Sequence, residues 1–262
     1  MPGATLVSLL DAALIAGIAM TALKLLVTGL YKRYTVFFLY FVFRIPNSIL
    51  PIVVDVRSRL YYQIWSISEC ITLLFYVLLV VELYRLVLER YRGLQTVGRW
   101  AMYSSVVVSA AISIFLNLLP KIHDAASPAT RRMNILIVTE RGIDTALAVF
   151  ILLLLLFLSR YPVKLSPNAR VHAVIYSVFF LSNTVNLLMR TLFGWPVAVA
   201  VNTTLTVINV CSVLAWLILL SPAGEEVRIT HSGMAPEHEK RLLTQLDFVN
   251  TTLLRVSRQQ SR

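Results

Sequence analysis

Between Leu6 and Leu220 the chain alternates long apolar runs with short polar, mostly basic connections, and seven of the runs have bilayer-crossing length. A helix rises about 1.5 Å per residue and the hydrocarbon core is roughly 30 Å thick, so about 20 apolar residues span it. The pattern predicts helices over approximately Leu6–Leu30, Tyr34–Val54, Leu60–Leu88, Arg99–Leu119, Asn134–Leu158, Val171–Leu192 and Pro196–Leu220. The expected fold is all-α: a polytopic membrane protein with a seven-helix transmembrane domain over residues 1–221 and a polar tail over 222–262.

Composition fits this expectation, because 58% hydrophobic against 14% charged residues is far from a soluble domain. The net charge of +11 and pI near 10 do not point to nucleic acid, since the basic residues sit at helix ends rather than along one soluble face. With the N-terminus outside, the inner ends carry Lys24, Lys32, Arg33, Arg85, Arg90, Arg92, Arg99, Arg160, Lys164 and Arg170. The outer side holds only Arg57, Arg59, Lys121, Arg131, Arg132 and Arg190, so the positive-inside rule predicts N-outside and C-inside.

Ser127-Pro128 and Ser166-Pro167 each place a capping hydroxyl before a proline suited to a first helical turn. No basic region precedes the first apolar run, so that run is expected to stay in the mature protein rather than leave as a signal peptide. Cys70 and Cys211 fall inside spans without metal-ligand spacing, and neither a disulfide nor a redox role is expected.

Ionisable residues inside the spans are the candidates for chemistry, because each is costly in hydrocarbon unless paired or hydrated. Asp11 and Lys24 lie some 20 Å apart along the first span, too far to pair, and read as interfacial anchors. Arg44 sits in the middle of the second span, just before Pro46, and Glu69 on the third is the nearest buried acid in sequence and its expected partner. Pro46 and Pro51 are expected to weaken or kink that helix. The fifth span adds Glu140, Arg141 and Asp144, and the sixth Asn183 and Asn186. The functional expectation is a polar ligand cavity open to the outer side, lined by Arg44, Glu69, Glu140, Asp144, Asn183 and Asn186. The alternative is a structural network that fixes helix packing.

The tail predicts an amphipathic helix over 236–258, with Leu242, Leu246, Val249, Leu253 and Val256 in a heptad-like stripe. Such a helix suits the inner leaflet, a homo-oligomer contact or a cytoplasmic partner.

No metalloprotease, hydrolase-elbow or phosphate-loop motif occurs, so an enzyme is not expected and no cofactor is implied. His123, His172, His231 and His238 read as loop, helix-start and tail residues rather than metal ligands. Glu89-Arg90-Tyr91 matches the acid-Arg-Tyr triplet of rhodopsin-like receptors, but the chain lacks their other motifs, and the seventh span has no lysine for a retinal Schiff base. Asn202-Thr203-Thr204 and Asn250-Thr251-Thr252 match the glycosylation pattern but fall in a span and in the tail.

Taken in order, several motifs run along nearly all seven spans. These are Phe37-Phe38-x-Tyr40-x-x-Phe43, Tyr61-Tyr62-x-x-Trp65 with Glu69, Glu82-x-Tyr84-Arg85 with Tyr91-x-Gly93-Leu94, Glu140-Arg141 before a leucine run ending Leu158-Ser159-Arg160-Tyr161, and Trp216. In this the chain resembles a group of uncharacterised seven-helix bacterial integral membrane proteins. The resemblance ends near Val227. It implies the seven-helix fold and a bacterial inner membrane, and it marks Glu69, Glu140 and Arg141 as shared features, without implying an activity. Three function classes fit: a small-ligand sensor signalling through its tail, a carrier for a small solute or proton, and a structural or assembly subunit.

Overall fold

The computed structural model describes residues 2–55, 58–89, 91–118, 128–160, 165–193, 195–225 and 236–259, and among them every regular element is a helix. In order these are α1 (Pro2–Val27), α2 (Thr35–Val53), α3 (Arg59–Val87), α4 (Arg92–Leu118), α5 (Pro128–Arg160), α6 (Pro167–Phe193), α7 (Trp195–Leu219) and α8 (Pro236–Gln259). Short 3-10 turns occupy Leu30–Lys32 and Pro222–Glu225. Five helical segments are long and apolar enough to cross a membrane: Val7–Val27, Thr35–Val53, Arg59–Val87, Val138–Arg160 and Val199–Leu219. This is the architecture of a multi-pass membrane protein.

The surface agrees. Leu23 is 59% exposed while Leu25, two residues on, is 1% exposed, and Val27, Ile67, Leu74, Leu153, Leu156 and Ile218 also point outward. Water would penalise so much exposed apolar surface, whereas lipid chains accept it.

Local signals set the helix ends. Ser166 Oγ accepts from the Ala169 amide at 3.2 Å, with Pro167 opening α6, as the sequence predicts. Ser58 caps α3 in the same way, accepting from Tyr61 N at 3.0 Å. After α1, Gly29 takes a left-handed φ of 73°, a conformation disfavoured for residues with a Cβ, and turns the chain into the Leu30–Lys32 segment. The start of α2 is capped from a distance: the buried carboxylate of Glu82 on α3 accepts from Val36 N at 2.9 Å and Phe37 N at 3.1 Å. Pro46 and Pro51 are both accommodated within α2, which continues to Val53.

α1 packs against α2 and α7, α7 against α6, and α6 against α5, while α3 touches α2, α4, α5 and α6 and so closes the bundle. Gly17 allows the tight α1–α7 approach, since a Cβ there would lie 2.9 Å from Val213 Cγ1. α4 lies against α5 on one side and α8 on another. The α8 contact includes a cap: Asn250 Oδ1 accepts from the Gly93 amide at 2.7 Å, satisfying a donor that the first turn of α4 leaves free. Leu246 is buried on α8, whereas Phe248 and Val249 are exposed.

Candidate functional site

A cavity of about 30 Å³ with an open mouth lies between α1, α2, α3, α6 and α7. Leu14, Ile18, Phe41, Leu79, Phe179 and Val213 give it an apolar wall, and Tyr40, Arg44, Tyr176, Asn209, Ser212 and Trp216 contribute polar atoms. That is room for about two waters, and its few polar groups among apolar ones are the makeup of a site for a very small molecule.

Arg44 is the only charged residue of the lining. It interacts electrostatically with Tyr40, Tyr76 and Glu69, yet among the described residues no carboxylate comes within 4.0 Å of its guanidinium. An arginine at mid-membrane costs roughly 2.5 to 3.5 kcal/mol on insertion scales when uncompensated, so its placement beside a cavity rather than against an acid calls for a compensating group. Two buried polar atoms of the same wall, Asn209 Oδ1 and Trp216 Nε1, also have no hydrogen-bond partner.

Of the residues expected to form the polar site whose side chains are described, Arg44 alone lines this cavity. Glu69 is half-buried on α3 and acts on Arg44 through space without contact. Asp144 is fully buried on α5, its Oδ1 without a partner, within electrostatic reach of Glu140 and Glu69. Glu140 and Asn183 are half-buried, and Asn186 is buried with its Oδ1 unpartnered. The side chain of Arg141 lies outside the described residues. So do those of Arg131, Arg132 and Arg190, of His123, His231 and His238, and of Leu242 and Val256 in the tail stripe. Cys70 and Cys211 are unpaired. Among the described residues no group of three or more His, Cys, Asp or Glu is placed to hold a metal ion.

Below the cavity the structure assembles a feature that the sequence did not announce. His172, one turn into α6, is 1% exposed and sits in an aromatic box. Its ring centroid is 4.5 Å from Tyr34, 4.7 Å from Phe37, 5.6 Å from Tyr176 and 6.2 Å from Trp216, and neither ring nitrogen has a partner. Tyr176 and Trp216 also line the cavity, so the box forms part of its floor.

Beyond the box lies a polar hub. Glu225 Oε1 accepts from Tyr34 Oη at 2.6 Å and from Asn168 Nδ2 at 2.5 Å, and its Oε2 pairs with Arg33 Nε at 2.8 Å. Asn168 Nδ2 also donates to Ser221 O at 2.7 Å, tying the start of α6 to the end of α7. Arg33 reaches Glu89 as well, at 2.9 Å. Burial first, and the neighbouring Glu225 carboxylate next, push the phenol of Tyr34 up from its usual range. Tyr34 precedes the spanning segment of α2. Lys24 is anchored too, donating to Leu217 O on α7 at 2.5 Å.

Glu82, Glu225 and His172 were not recognised as site residues from sequence. Glu225 stands at the start of the polar tail and Glu82 near a helix end, where acids are ordinary, and only their partners from distant elements give them roles.

Comparison with known protein families, with curated proteins and with solved structures finds no match for this chain.

Proposed function

We propose that the chain is a seven-helix integral protein of a bacterial inner membrane, N-outside and C-inside, which binds a small ligand in its bundle and relays the bound state to its C-terminal tail. α4 and α6, each 27 residues long, would complete the seven spans. The resemblance to seven-helix bacterial proteins and the distribution of basic residues support the membrane and its orientation. The observation that carries the ligand reading is Arg44 facing a largely apolar cavity with no carboxylate among the described residues in contact. A relay is supported by continuity: Tyr176 and Trp216 touch both cavity and His172, His172 packs against Tyr34, and Tyr34 holds Glu225 at the entry to the tail. The function is binding rather than catalysis.

A carrier is the second reading, favoured by the buried Asp144, whose Oδ1 lacks a partner and which lies in electrostatic reach of Glu69 and Glu140. Solute flux into vesicles holding the purified chain would distinguish it from a sensor.

The ligand reading is tested by melting the detergent-solubilised full chain across a panel of small metabolites, alongside Ser212→Leu, which fills the cavity. At least one compound should raise the Tm of the wild type and not of Ser212→Leu, by mass-action linkage. If no compound separates the two proteins, the cavity is not a ligand site.

A further inference from the structure

Resting on the reading of the cavity as a ligand site, we infer that its ligand is a small monocarboxylate held head-first at Arg44. Charge sets the head. Arg44 is the one ionic group among the twelve lining residues, and no acid of the described chain neutralises it by contact, so a single negative charge completes the site. A dianion would leave excess charge in a low-dielectric wall. A carboxylate also matches the planar guanidinium fork, which binds it through two parallel hydrogen bonds.

Depth supplies a second contact. Arg44 lies nine residues after Thr35, where α2 begins, and Asn209 lies ten residues before Leu219, where α7 ends. At about 1.5 Å per residue both stand roughly 14 to 15 Å from the same end of the bundle. Asn209, half-buried with its Oδ1 enclosed and unpartnered, is therefore level with Arg44 and supplies a second polar contact for the head, because an amide can present either its nitrogen or its oxygen. Trp216 is seven residues nearer that end, roughly 10 Å lower. Between the two levels the wall is Phe41, Tyr176 and Val213, which fits a hydrocarbon chain or an aromatic ring and offers it no charge.

Titration calorimetry of the purified full chain with propionate and with benzoate, each compared with its amide, tests the inference. The acids represent the two sources of such a head group, an alkyl and an aromatic body, and the stronger one identifies the body. At least one acid should bind the wild type about tenfold tighter than its amide. Its affinity should fall by at least that factor in Arg44→Gln and less in Arg44→Lys, which keeps the charge but loses the fork. Arg44→Lys also serves if Arg44→Gln does not fold. Equal binding of acid and amide, blocked in Ser212→Leu, would overturn the carboxylate and leave the ligand site standing. Binding of the acids that Ser212→Leu does not change would place them outside the cavity, and no binding of either acid would overturn the inference outright.

Discussion

Tyr34, at the start of α2, donates its hydroxyl to Glu225 at 2.6 Å, joining two points separated by 191 residues of sequence. Asn168 and Arg33 hold the same carboxylate, so the entry to the tail is fixed to the connection between α1 and α2 and to α6 by one side chain. Tyr34→Phe leaves Glu225 two partners and should cost about 1.5 kcal/mol, whereas Glu225→Ala removes three contacts at once and should cost more. Chemical unfolding of the two variants in mixed micelles checks the order.

The same contact predicts a pH dependence. Burial and Glu225 raise the Tyr34 phenol above its ordinary value of about 10. Its stabilising contribution is thus complete below that pH and is lost as pH rises through and beyond it, because the unfolded chain releases the proton first. Melting curves from pH 8 to 11 should show the wild type losing Tm at the alkaline end more steeply than Tyr34→Phe.

Glu82 replaces a local N-cap for α2. Glu82→Ala should destabilise the protein by about 1 to 3 kcal/mol, since it leaves the amides of Val36 and Phe37 without their acceptor, while Glu82→Gln keeps one acceptor oxygen and should lose less. Equal losses in the two variants, read by denaturant unfolding, would show that the cap is not what the carboxylate contributes.

His172 makes a sharper case. Its box is aromatic on every side named and neither nitrogen is satisfied, so His172→Phe, which preserves ring shape, should leave Tm unchanged or raise it by a few degrees. His172→Ala should lower it through the void it opens. A loss with Phe as large as with Ala would mean that the imidazole nitrogens bond to something essential.

Asn250 holds α8 to α4 through the Gly93 amide. Asn250→Ala should speed amide exchange across α8 about fivefold, the effect of one hydrogen bond, while the bundle's own exchange and Tm stay unchanged. Uniform acceleration across the whole chain would contradict a local latch.

The long apolar runs were legible because bilayer thickness imposes a length that hydropathy records, and the α6 cap was legible because Ser166-Pro167 is a local signal. Helix rotation was not. Leu23 faces outward and Leu25 faces the core, yet both are leucine, since lipid and protein interior reward the same side chain. Arg44 stood out because a charge at mid-span is conspicuous whatever way it faces. Its expected contact with Glu69 depended on how α2 and α3 are rotated, and the guanidinium faces the cavity instead of meeting that acid. His172 escaped notice for a related reason: its box draws on α2, α6, α7 and the residue before α2, and no single segment contains it.

The central claim is an accessible cavity that favours anions, and Ser212 is a lining residue where that can be read directly. Ser212→Cys, made with Cys70 and Cys211 changed to serine, would be labelled in membrane vesicles with an anionic sulfonatoethyl and a cationic trimethylammonioethyl methanethiosulfonate of comparable size. Faster labelling by the anion, with the preference reversed or lost in Arg44→Gln, is the predicted result. No labelling by either reagent, or faster labelling by the cation in the wild type, would contradict the account.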